Sequence, residues 1–253
     1  MSETRDVAIE RLDGDQRRDA RDIVVVEAPL QLRARGTPVA TIMRTPGNDL
    51  ELVRGLLHAE GIRAAAAQVD EDAVDIDTDG SAFVGRGVLS SAACGVCGRA
   101  AIADLELRAR EVSSDLKATP SALAALPALL RATQAAFDQT GGLHAAGLFS
   151  VGREPALLAA REDVGRHNAV DKVIGWALDA GVAGSACALM LSGRAGYELV
   201  QKAIMFQVPI VVSVSAPSSL AIELAERFNV ALVGFVRGDR ANIYAHGWRI
   251  SGG

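Results

Sequence analysis

The sequence predicts an α/β protein in two parts: a small N-terminal α+β unit, then a larger α/β domain with a mostly parallel sheet covered on both faces. Three observations predict it. From 143 to 245, short apolar runs alternate with helical stretches, the order that lays helices over parallel strands. Between 24 and 84 the apolar runs are shorter and bounded by turn residues, as in a small α+β unit. The 253 residues are 49% apolar but only 4% aromatic, which supports a large aliphatic core.

The elements follow in order. Residues 1–22 are charged, without periodicity, and are expected to be a disordered tail. Segments 24–26 and 30–32 read as a strand interrupted by Pro29, and Arg35-Gly36-Thr37-Pro38 turns the chain into a returning strand over 39–43. Asn48 or Asp49 caps a helix that presents Leu50, Val53, Leu56 and Leu57 on one face and stops at Gly61. Segments 74–77 and 83–84 are short strands around the Asp79-Gly80 turn. This unit spans 23–110, and 105–117 is a charged connector into the second domain, 111–253. There Thr119-Pro120 starts a helix, Pro127 is expected to restart it, and Gly141-Gly142 stops it. Strands over 143–149 and 156–160, a helix over 164–178 and a buried strand over 186–191 come next. A helix over 197–206, a strand over 210–214, a helix over 218–228 and strands over 231–236 and 242–245 complete the chain.

The net charge of −5 argues against a general nucleic-acid binder while leaving room for a local basic groove. Three cysteines do not make a disulfide framework, which points to a reducing compartment. The N-terminus carries no secretory apolar run, and the most apolar window, 203–214, is broken by Gln207 and Pro209. A cytoplasmic protein without a membrane partner is expected.

The stretch Cys94-Gly95-Val96-Cys97-Gly98 carries the chemistry. Its glycines, and Ser90-Ser91-Ala92-Ala93 before it, make a mobile or tightly turned backbone, and Arg99 favours thiolate. Metal ligands, a redox dithiol and a sulfur-carrying thiol all fit the residues. His58-Ala59-Glu60 with the cysteine pair superficially matches a zinc deaminase pattern, but Ala93 stands where that pattern has proline. His58 is therefore read as a helix residue, and Cys187 as core.

Ligands of such sheets collect beyond the carboxyl ends of strands. Three polar stretches fall there: Arg161 to Asn168, Ser192-Gly193-Arg194, and Ser215-Ala216-Pro217-Ser218-Ser219. Each couples a helix start to hydroxyls, glycine or arginine, which suits phosphate. Phe235-Val236-Arg237-Gly238-Asp239-Arg240 is a fourth, with two arginines around a glycine turn. His144 and His167 fit structural and site roles alike, and neither a P-loop nor a dinucleotide fingerprint is present.

These residues resemble the formate dehydrogenase accessory sulfurtransferases, the FdhD family. The resemblance runs through Glu27-Ala28-Pro29-Leu30, Thr45-Pro46, Glu60-Gly61-Ile62, the cysteine motif and Thr140-Gly141-Gly142-Leu143-His144-Ala145-Ala146. It continues through Glu162-Asp163-Val164-Gly165-Arg166-His167-Asn168-Ala169-Val170-Asp171-Lys172, Ser192-Gly193-Arg194, Glu198 to Ala203, Ala216 to Ala221 and Leu232-Val233-Gly234-Phe235. Departures are Ser218 for threonine, Leu57, and the variable 236–239.

The resemblance implies a sulfur carrier. A cysteine desulfurase would pass sulfur to Cys94 as a persulfide, with Cys97 assisting. The sulfur would go to the molybdenum or tungsten of a bis-molybdopterin guanine dinucleotide cofactor, bound as cargo before insertion into formate dehydrogenase. It also implies a homodimer, a C-terminal cytidine-deaminase-like three-layer α/β domain without zinc, and cofactor contacts from Phe235, Val236, Arg237, Gly238, Asp239 and Arg240. Arg161, Arg194 and Arg240 are the candidate phosphate partners. Two rivals remain: a thiol–disulfide oxidoreductase using both cysteines, and a cofactor chaperone without chemistry of its own.

Overall fold

The computed structural model describes residues 2–80, 105, 108–152 and 154–251. The segment 83–84, expected as a strand, and the cysteine motif lie outside the described residues.

The charged opening is not a disordered tail. It forms an antiparallel hairpin, β1 (Thr4–Asp13) and β2 (Gln16–Val25), turned at Gly14 with φ 62°. The sequence conceals it because its apolar alternation is confined to Val7 and Ile9, both only half-buried, too short a run to mark a buried side. Cross-strand pairs such as Arg21–Asp6 at 2.9 Å decorate a ladder whose backbone bonds do most of the ordering.

The N-terminal sheet has the order β4-β3-β6-β5. Its strands are β3 (Ala28–Ala34), β4 (Thr37–Arg44), β5 (Ala66–Asp70) and β6 (Ala73–Ile76), with α1 (Asp49–Ala59) packed on one face. Leu30 and Leu32 alternate inward from β3 and meet Leu52, Val53 and Leu57 of α1 and Val74 and Ile76 of β6. Pro29 lies inside β3 instead of interrupting it. It precedes Gln31, where pairing with β6 begins, so one side of the strand is open there.

The second sheet has six strands in the order β12-β11-β10-β9-β7-β8. They are β7 (His144–Val151), β8 (Pro155–Asp163), β9 (Ala188–Leu191), β10 (Ile210–Ser213), β11 (Ala231–Arg237) and β12 (Arg240–Ala245). The parallel strands are the central three, β9, β10 and β11; β12 and β7 run antiparallel to them, and β8 antiparallel to β7. Burial on both sides explains the continuous apolar runs. Leu189, Leu191, Val211 and Leu232 face one way, towards α4 (Arg166–Asp179), α5 (Tyr197–Met205) and α6 (Ser219–Arg227). Met190, Ile210, Val212 and Val233 face the other way, onto α2 (Pro120–Arg131). The result is three layers, helix on sheet on helix.

Thr119 caps α2, its hydroxyl accepting the Ala122 N–H at 3.1 Å, and Pro120 takes the first turn as expected. Pro127 does not restart the helix; α2 runs straight through it. An interior proline costs about 3 kcal/mol. Burying Leu123, Leu126 and Leu130 against the sheet returns about 1.5–3 kcal/mol each, which decides the matter. A short α3 (Ala135–Thr140) follows and ends at Gly141 in the left-handed region.

The two units are joined by α1 lying against α4 and by bonds that cross beside that contact: the Thr45 N–H donates to Asp163 at 3.1 Å, and Lys172 Nζ donates to Thr45 O at 2.9 Å. Buried ion pairs stiffen each side of the seam. Arg44, 1% exposed, holds Asp49 through two bonds of 2.9 and 3.0 Å and reaches Asp72 at 2.8 Å. Among the described residues no helix is long and apolar enough to cross a membrane.

Candidate functional site at the carboxyl edge of the six-stranded sheet

The ends of β8, β9, β10 and β11 share one edge, and the start of β7 joins them because β7 runs the opposite way. The loops beyond the strand ends are tied to one another. The Ser192 N–H donates to Ala145 O at 3.0 Å, and the Ala145 N–H returns a bond to Ser192 Oγ at 2.8 Å. Ser213, fully buried, donates its hydroxyl to Gly193 O at 2.6 Å and accepts the Ser215 N–H at 3.1 Å. The Ala195 N–H donates to Ala216 O, the Ser218 N–H to Ala195 O, and the Phe235 N–H to Ser215 O. Thus Ser192–Arg194, Ser215–Ser219 and the hairpin after β11 form one continuous rim, as the sequence leads one to expect.

The Arg161–Asn168 stretch divides. Its first half does not serve a ligand. Arg161 is held by Glu51 at 2.6 and 2.8 Å, one fifth exposed, which removes it from the candidate phosphate partners. Glu162 accepts the Ala136 and Phe137 N–H groups and so caps α3; burial pushes its carboxyl above the ordinary range. Asp163 accepts N–H groups from Thr45 at 3.1 Å and Gly165 at 2.8 Å, and Asn168 Nδ2 at 2.9 Å. The second half stays at the rim. His167 Nε2 lies 2.5 Å from Glu198, and that contact holds the Glu198 carboxyl below its usual range.

His144 stands at the start of β7, opposite Asp163. Burial, with Arg166, His167 and Arg194 nearby, lowers its pKa, so the ring is neutral at pH 7. A Cβ added to Gly193 would sit 3.3 Å from His144 Nδ1, so the rim closes tightly around the ring. Among the described residues Arg166, Arg194, Arg237 and Arg240 form no ion pair. Arginines at the mouth of a sheet can draw an anion, and of these Arg166 also acts on the Glu198 carboxyl, whose pKa it helps to lower.

Of the six residues expected to contact cofactor, Phe235, Arg237, Gly238, Asp239 and Arg240 are exposed at the tip of the β11–β12 hairpin, where Arg237 pairs with Arg240 in register. Val236 is 1% exposed and packs in the core beneath α2, so its side chain faces away from that surface. His58 is a helix residue as read: its Nε2 meets Met205 O at 3.0 Å, and its ring stands edge-on to Phe206. Cys187 is buried in the core, which pushes its thiol up to about 11. One group stayed unassigned in the sequence: His144 could be placed at the rim only once the direction of β7 was known.

The FdhD/NarQ family model matches residues 25–251. The chain belongs to the FdhD/NarQ family. A sulfur carrier protein FdhD from Anaeromyxobacter dehalogenans is 46% identical, over 91% of this chain and 89% of that protein. One from Mycobacterium bovis is 41% identical, over 96% of this chain and 97% of that protein. In fold, the chain is similar to the crystal structure of a formate dehydrogenase accessory protein from Desulfotalea psychrophila, with a TM-score of 0.81 and 23% identity over 99% and 100% of the two chains. The family resemblance read from the motifs therefore holds. In this FdhD/NarQ chain the rim gathers Arg166, Arg194, Arg237 and Arg240, none of them in an ion pair among the described residues.

Proposed function

We propose that this chain is a sulfur carrier that serves formate dehydrogenase. Cys94 takes sulfur from a cysteine desulfurase persulfide: its thiolate attacks the outer sulfur, the donor S–S bond breaks, the donor thiolate leaves, and a persulfide forms on Cys94 without net redox change. Delivery needs two electrons. Cys97 supplies them by attacking the Cys94 sulfur, which releases sulfide and leaves a Cys94–Cys97 disulfide for a cellular dithiol to reduce. The acceptor is the molybdenum or tungsten of a bis-molybdopterin guanine dinucleotide, held as cargo through its phosphates before insertion into the dehydrogenase. The chain works as a homodimer in the cytoplasm.

The observation that carries this reading is the set of four arginines at the sheet's carboxyl edge, none in an ion pair among the described residues, in a chain whose relatives are sulfur carriers. A polyphosphate cargo is what such a rim suits.

Intact-protein mass spectrometry tests it. After incubation with desulfurase and cysteine, wild type gains the mass of one sulfur atom and Cys94→Ala gains none. An unchanged mass in wild type, or insulin-reductase activity that needs both cysteines equally, would reject the carrier in favour of an oxidoreductase. Full activation of formate dehydrogenase by Cys94→Ala would leave only a chaperone.

A further inference from the structure

A cleft of about 700 Å³ lies where the two units meet, between the end of α1, the connector at 108–110 and the end of α5. It is separate from the rim. α5 starts at the rim, where Glu198 meets His167, and its nine residues carry it roughly 12 Å along its axis to the cleft, which Met205 lines.

The cleft has an apolar floor and a cationic mouth. Ile204, fully buried, and the half-buried Met205 and Ile62 line the floor, with Arg63, Arg108 and Arg110 around them. Arg108 is committed: its Nη1 donates to Glu60 O at 3.2 Å and lies 3.6 Å from the Glu60 carboxylate. Arg63 and Arg110 are exposed, and among the described residues their side chains form neither hydrogen bond nor ion pair. None of the described Asp or Glu residues lines the cleft. His58 does, but burial lowers its pKa, so the charge belongs to guanidiniums and persists across the physiological range.

The connector that bears Arg108 and Arg110 is fixed. Gln207 donates its amide to Arg110 O at 3.1 Å, Asn229 to Val112 O at 3.0 Å, and Arg249 to Ser114 O at 2.6 Å and Leu116 O at 3.3 Å. Every second carbonyl is thus caught by a side chain. Gln207 and Asn229 follow α5 and α6 with φ of 61° and 60°, where glycine is the ordinary choice. A glycine could not supply the amide that reaches the connector.

This anatomy selects a protein as the occupant. Small-ligand pockets bury most of the ligand and place a few polar groups inside. An apolar centre ringed by exposed charge is how protein interfaces are built. The chain's net charge of −5 repels an acidic surface elsewhere, so two free cations steer one here. Cys97 precedes Arg108 by eleven residues, so a protein seated in the cleft is close along the chain to the thiols.

We propose that this cleft docks the sulfur-donating protein through an acidic segment with an apolar side chain, Arg63 and Arg110 receiving the carboxylates and Ile204 and Met205 the apolar group. The docking role rests on the carrier reading for the donor's identity.

Loading the full chain from two sources tests it. One is a cysteine desulfurase with cysteine. The other is inorganic polysulfide, from which the Cys94 thiolate takes one sulfur while a shorter polysulfide leaves. Mass spectrometry follows sulfur on Cys94. The double variant Arg63→Glu/Arg110→Glu should load from limiting desulfurase at least roughly tenfold more slowly and from polysulfide at the wild-type rate. Arg63→Lys/Arg110→Lys should keep most of the desulfurase rate, and added salt should slow wild type towards the reversed variant. Equal desulfurase rates in wild type and reversed variant would overturn the docking cleft, and so would an equal loss with both sources. A reversed variant that loads normally yet fails to activate formate dehydrogenase would give the cleft to the acceptor and overturn the proposal as well. Should charge reversal prevent folding, Arg63→Gln/Arg110→Gln is read the same way, with a smaller loss expected. Wild type that takes sulfur from neither source sinks the carrier reading itself, whereas equal loading of wild type and variant sinks only the docking.

Discussion

Gly55 on α1 lies against the backbone of Asp171 on α4, so close that a Cβ placed on it would fall 1.9 Å from the Asp171 carbonyl oxygen. The contact is reciprocal: a Cβ on Gly175 would fall 1.9 Å from the Glu51 carbonyl oxygen. Two glycines thus let the helices of the two units touch main chain to main chain, and this seats the N-terminal unit on the C-terminal domain.

Gly55→Ala should therefore destabilise the protein although alanine favours helix. Helix propensity returns about 1 kcal/mol, while forcing the helices apart costs about 1–3 kcal/mol or more. Urea unfolding should show a lower midpoint for Gly55→Ala and for Gly175→Ala. The double variant should lose less than the two singles added together, because both disturb one contact.

Lys172 and Asp163 are 2.8 Å apart at 2% and 0% exposure, and Lys172 also donates to Thr45 O at 2.9 Å. Lys172→Met leaves a buried carboxylate without its cation, a loss of about 3–5 kcal/mol in chemical denaturation. Adding Asp163→Asn should recover part of it. No recovery would mean that the carboxylate's N–H partners, not its charge, dominate.

His58 and His144 both have pKa values lowered by burial from 6.5. A group whose folded pKa lies below its unfolded value stabilises fully above the unfolded pKa, and that stability is lost as pH falls through the folded pKa. The thermal midpoint should be level above about pH 7 and fall as pH drops below 6.5. His58→Gln, which keeps a donor for Met205 O, should flatten part of that fall.

Arg194→Glu and Arg240→Glu should each weaken binding of the proposed phosphate-bearing cargo by roughly tenfold or more, since charge-assisted bonds are worth about 1.5–3 kcal/mol. The effect should shrink as salt rises, and unfolding midpoints should hold, because neither side chain pairs with another described group. Unchanged affinity would reject the rim as the phosphate site.

Alkylation of the native protein should spare Cys187, whose thiol burial has pushed to about 11. Only denaturation should expose it. Cys94 and Cys97 should react in the native state if they serve partners.

The sequence by itself determined the local order of most elements: apolar period, caps and glycine stops act over a few residues and can be read there. The cysteine pair, the alternation after 143 and the phosphate-suited loops were legible for that reason. Only the tertiary structure decided which of those loops meet, and which of their charges are already matched. Arg161 reads like Arg194 in the chain, but a helix from the other unit brings Glu51 to it. His144 reaches the rim because β7 runs against its neighbours, and the direction of a strand is set by pairing across the sheet.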